Sequence, residues 1–60
     1  MEKSLFKKNG KVYTRFKISL KSFWGWKAYL KAKYNIDTDN PSKKSSRYIY
    51  FEKEGDYLNG

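Results

Sequence analysis

Asn9-Gly10, followed by nine residues of strict alternation, leaves this chain few options. Both central positions of a two-residue type I′ turn need positive φ, which Asn and Gly adopt most readily, so the dipeptide predicts a tight β-hairpin over residues 4–20. After the turn Val12, Thr14, Phe16, Ile18 and Leu20 point one way, and Tyr13, Arg15, Lys17 and Ser19 the other. That is the period of a strand with one buried face.

The period then changes. At about 100° per residue, Phe23, Trp26, Leu30 and Tyr34 share one face of a helix over residues 22–35, with Lys27 and Lys31 on one flank and Lys33 on the other. Ser22 is placed to cap the first turn, and Asn35 to end the helix in the left-handed conformation. Gly25 weakens the helix by about 1 kcal/mol relative to Ala. With almost no connection after Leu20, the helix must fold back and lay its stripe on Phe16, Ile18 and Leu20. Each such side chain contributes about 1.5–3 kcal/mol when fully buried. Trp24 falls off the stripe, which leaves it a sheet edge, a dimer contact or solvent.

Residues 37–46 read as a loop, polar and holding the only proline. Residues 47–53 are rich in aromatic and β-branched side chains and read as a strand, with Ile49 and Phe51 on one face and Tyr48 and Tyr50 on the other. Gly55 ends it, and residues 56–60 form a tail tied down by Tyr57 and Leu58. The expectation is one α+β domain over residues 1–60, β-β-α-β, an antiparallel sheet with one helix on one face.

Sixty residues make a marginal core, and no cysteine or Cys/His cluster is present to reinforce it. Large side chains compensate, in an aromatic share of 20%; dimerisation is the other ordinary remedy. No apolar run approaches the ~20 residues that span a bilayer, and residues 1–20 hold no continuous apolar signal-peptide core. The expectation is a cytoplasmic protein off the membrane.

Charge is unevenly placed. Of fourteen Lys and Arg residues, ten precede Asp37, and the only acid among them is Glu2. From Lys3 to Ile36 there is no carboxylate, within a chain of net charge +8. Such a stretch repels itself unless something anionic lies against it.

Arg15 to Leu20, a basic strand running straight into a helix, resembles the start of the ribbon-helix-helix repressors. The resemblance covers residues 15 to about 34. It implies a dimer whose paired strands enter the major groove, with Arg15, Lys17 and Ser19 reading base edges. It also requires a second helix, whereas residues 47–53 favour strand and Gly55 interrupts helix. The ribbon-helix-helix dimer is the alternative fold.

Catalysis has little to work with, since histidine and cysteine are absent; the expectation is a non-enzymatic protein without cofactor. Asp37-x-Asp39-Asn40 opens like a calcium loop but lacks its glycine and closing Glu. Glu52 and Glu54 suit the solubilising end of an edge strand. Neither is assigned a metal.

Interleaved bases and rings carry the functional expectation. Tyr13, Arg15, Lys17 and Ser19 form the outer face of the second strand, and Arg47, Tyr48 and Tyr50 extend it if the third strand pairs alongside. Lys43 and Lys44, within Ser42–Arg47, add cations and hydroxyls suited to phosphate. Bases stack on such rings while Lys and Arg neutralise phosphates. These nine residues are the expected nucleic-acid contacts, on DNA or RNA, in a small regulator or accessory factor of a virus, plasmid or mobile element. A second expectation is an inhibitor or adaptor whose basic face docks on an acidic partner protein, with Trp24 and the tyrosines as anchors. A third, a membrane-surface peptide, is opposed by the hairpin and the short helix.

Overall fold

The computed structural model describes residues 1–58. In chain order it forms β1 (Glu2–Lys8), β2 (Lys11–Ser19), α1 (Phe23–Tyr34), β3 (Lys43–Lys44) and β4 (Tyr48–Glu54). The sheet is antiparallel throughout, in the order β1-β2-β4-β3, and α1 packs on one face. This is the expected α+β arrangement with one strand more.

The hairpin sets the frame. Asn9 and Gly10 take φ of 52° and 76°, the left-handed pair that a type I′ turn requires. Lys8 therefore lies opposite Lys11, and each earlier residue of β1 finds its partner in turn, back to Glu2 opposite Lys17. On the other side of β2, Phe16 meets Phe51 and Ile18 meets Ile49. These four side chains, with Leu30, Tyr34 and Ile36, make the buried core, and Leu20, Phe23, Trp26 and Tyr57 pack against it. Rings interlock between the layers, Phe16 with Tyr34 at 4.9 Å and Phe23 with Phe51 at 5.9 Å between centroids.

The helix ends as expected and begins differently. Asn35 closes it at φ 55°, its N–H donating to the Lys31 carbonyl. At the start, Ser22 makes no side-chain cap. Its hydroxyl instead donates to the Ser19 carbonyl at 3.4 Å, which tightens the turn out of β2.

The segment read as loop contains β3. The Ser42 and Ser45 N–H groups donate to the Tyr50 and Tyr48 carbonyls at 2.9 and 2.8 Å, drawing Lys43 and Lys44 into register with Tyr50 and Ile49. Main-chain bonding makes this strand, with no apolar pattern to announce it.

The tail is held by Thr14, a fully buried residue of β2. Its hydroxyl donates to the Gly55 carbonyl at 2.7 Å and accepts the Tyr57 N–H at 2.9 Å. Lys3 Nζ donates to the Tyr57 carbonyl at 2.9 Å. Leu58 is exposed and holds little; residues 59 and 60, part of the expected tail, lie outside the described residues.

The ribbon-helix-helix alternative falls here. It needs a second helix after α1, and β4 occupies that part of the chain, the central partner of β2. Among the described residues no helix is long and apolar enough to cross a membrane.

Candidate nucleic-acid interface

Period two in β2, read with the register of its neighbours, defines the sheet face away from α1. Tyr13, Arg15, Lys17 and Ser19 stand on it. Phe6, Ser4 and Glu2 lie across from the first three on one side, and Glu54, Glu52, Tyr50 and Tyr48 across from the four on the other. Lys43 joins through its pairing with Tyr50. No described element covers this face, and its residues are half-buried or exposed.

Three of the four rings there, Phe6, Tyr48 and Tyr50, have a cation over them. Phe6 and Tyr13 stack at 5.5 Å between centroids, with the Arg15 guanidinium 4.7 Å from the Phe6 ring. Lys17 Nζ lies 4.3 Å from the Tyr48 ring, and Lys43 Nζ 5.9 Å from that of Tyr50. Arg15, Lys43, Tyr50 and Glu52 line a hollow of about 200 Å³ in its middle.

Seven of the nine expected contacts thus share this face: Tyr13, Arg15, Lys17, Ser19, Lys43, Tyr48 and Tyr50. Lys44 does not, because it alternates with Lys43 and pairs with Ile49 on the helix side. Arg47 precedes β4 and sits at the rim, its carbonyl accepting the Leu20 N–H at 3.0 Å.

Two features of the face escaped the sequence reading. Phe6 was visible only as part of an apolar run, although the two-residue turn already implies Lys8 opposite Lys11, and hence Phe6 opposite Tyr13. Parity already puts Glu52 on the face of Tyr48 and Tyr50, but does not give its register beside Arg15. Glu52 pairs with Arg15 at 3.2 Å and Glu54 with Lys11 at 3.8 Å, while Glu2 stands opposite Lys17. The face therefore carries both signs of charge.

Many of the cations lie elsewhere. Lys27, Lys31 and Lys33 belong to α1, as does Trp24, which is 77% exposed with Lys27 Nζ 4.9 Å from its ring. Tyr29 is held below its ordinary phenol pKa by the Lys33 ammonium, which is raised in return. Just past the C-terminal end of α1, Asp37 is kept below the usual carboxylate range by hydrogen bonds from the Asn40 amide and the Asp39 N–H, helped by the charge of Lys31.

No acidic cluster among the described residues has the makings of a metal site. Chemically, the sheet face offers flat rings, hydroxyls, cations and the carboxylates of Glu2, Glu52 and Glu54. No protein family, curated protein or solved structure matches the chain.

Proposed function

We propose that this chain is a small, non-enzymatic nucleic-acid-binding protein whose open sheet face takes a single strand. One observation supports this reading above the others: four rings on an uncovered face, three of them with a cation poised over the ring. Bases are sequence-tolerant stacking partners for such rings, and the same cations sit where backbone phosphates would pass. Arg15 can leave Glu52 at little cost, because an exposed ion pair contributes at most about 1 kcal/mol.

Fluorescence anisotropy with a labelled twelve-nucleotide single strand and the matching duplex tests it. If the three cations Arg15, Lys17 and Lys43 each neutralise a phosphate, log K falls against log salt with a slope of roughly −2 for the single strand and roughly −2.7 for the duplex. Tyr50→Ala removes one stacking surface and weakens single-strand binding by about 1–3 kcal/mol. Absence of binding to either form at low salt, or binding indifferent to salt, overturns the proposal.

An acidic partner protein remains the second reading, favoured by the exposure of Trp24 on the opposite layer. A pull-down from nuclease-treated lysate separates the two: a protein retained by the native chain and lost with Trp24→Ala supports the second.

A further inference from the structure

At the end of the open face, where β2 turns towards α1 and the chain enters β4, lies a cavity of about 390 Å³ lined by Ser19, Leu20, Lys21, Ser46, Arg47 and Tyr48. We infer that this cavity is a seat for a nucleotide phosphomonoester, either the phosphorylated end of a strand or a free mononucleotide. In the strand-end form the inference rests on the reading of the sheet face given above.

Charge is the first argument. Two further cavities each include a carboxylate, Glu52 in one and Asp37 with Glu52 in the other. This one has Lys21 and Arg47 and no acid in its lining. A phosphomonoester carries about −1.5 to −2 charges at neutral pH against one for a backbone diester, so two cations match it better. The guanidinium of Arg47 suits two oxygens at once, and the hydroxyls of Ser19 and Ser46 can donate to others.

Size and position are the second argument. The volume falls in the lower part of the ligand-pocket range of about 300–1,000 Å³, which admits a sugar beside the phosphate. The walls are tied together by main-chain bonds, Leu20 N–H to the Arg47 carbonyl at 3.0 Å and Ser22 N–H to the Ser19 carbonyl at 3.0 Å. Lys21 N–H donates to Ser19 Oγ at 3.3 Å, leaving the Ser19 proton available to a ligand. Tyr48 belongs to both places, since its ring lies under Lys17 on the sheet face and the residue also lines the cavity. A strand crossing the face would reach the cavity at one of its ends.

The test compares one single-stranded oligonucleotide carrying a 5′-phosphate, a 3′-phosphate or hydroxyls only, with the label on the unmodified end. In parallel, AMP and adenosine are titrated against ¹⁵N-labelled protein. A charge-assisted contact worth a tenfold affinity difference corresponds to about 1.4 kcal/mol, and about that preference is expected for one phosphorylated end. Lys21→Gln and Arg47→Ala should each bring the ratio of phosphorylated to hydroxyl affinity towards one. In Arg15→Ala both affinities fall and the ratio persists. AMP, and not adenosine, should shift the amides of Ser19, Lys21 and Arg47; AMP binding without a strand-end preference assigns the cavity to free nucleotides.

Equal affinity for all three strands, together with equal shifts from AMP and adenosine, overturns the inference while strand binding by the face still stands. If no strand binds, the sheet reading fails and the AMP arm alone decides the cavity.

Discussion

Two buried threonines show how much depends on where a hydroxyl points. Thr14 uses its hydroxyl twice, donating to the Gly55 carbonyl and accepting the Tyr57 N–H. Thr38 is equally buried, yet its Oγ1 has no hydrogen-bond partner among the described residues. The same change to Val, nearly isosteric, should therefore act differently at each. Thr14→Val strands two main-chain groups and costs about 1–3 kcal/mol; Thr38→Val replaces an unsatisfied hydroxyl by a methyl and is neutral or stabilising by up to about 1 kcal/mol. Urea unfolding of both variants measures the contrast, and equal losses would contradict it. Asp37 supplies a pH dependence. Its pKa is depressed in the folded protein by the Asn40 amide and the Asp39 N–H. The stability this contributes is complete above the unfolded value of about 3.9 and is lost as pH falls through the lower folded value. Asp37→Asn removes that contribution, so the gap in urea midpoint between it and the native chain should be present at neutral pH and should narrow in acid.

Among the elements, α1 offers the simplest correction of a local weakness. Gly25 stands on its exposed side, and a Cβ built there meets nothing within 4 Å. Neither packing nor positive φ requires glycine, so Gly25→Ala should stabilise the protein by about 0.5–1 kcal/mol, read as a higher thermal midpoint. Loss of stability would mean that the helix is held in a distorted form. Elements of this kind were legible in the sequence because local chemistry dictates them: the Asn9-Gly10 turn, the alternation of β2, the stripe of α1, the aromatic run of β4. β3 was not, since Lys43-Lys44 has no pattern of its own and is made a strand by the serine main-chain bonds to β4. The start of β1 was hidden for a related reason. Glu2 and Lys3 have no strand signature, and the hairpin register carries them into pairing. The candidate face shows the same division. Outward positions of β2 follow from parity alone, whereas the arrival of Glu52 beside Arg15 depends on the register between β2 and β4, set by the core pairs Phe16–Phe51 and Ile18–Ile49.

Charge acts on the molecule as a whole, and it sets fold and function against each other. The protein measures 33 × 24 × 19 Å and has a net charge of +8. At 0.01 M salt the Debye length of about 30 Å lets every cation repel nearly every other, and at 0.15 M, about 8 Å, only neighbours interact. Opposing this are the ion pairs Arg15–Glu52, Lys11–Glu54 and Lys27–Asp39, each with at least one exposed partner and each worth at most about 1 kcal/mol before screening. Repulsion is the larger effect, so raising salt from 0.01 to 0.15 M should stabilise the free protein by about 1 kcal/mol, a rise of roughly 4–8 °C in thermal midpoint for a domain of this size. A fall would show that the pairs outweigh the repulsion. An oligonucleotide that binds only the folded chain should reverse the trend. At one hundred times its dissociation constant it adds about 2.7 kcal/mol, and because binding weakens with salt, the addition fades over the same interval in which the free protein gains. Thermal midpoints measured with and without a single strand should therefore converge as salt rises, the bound curve descending and the free curve ascending. Parallel curves would mean that the strand neutralises none of the cations that strain the fold.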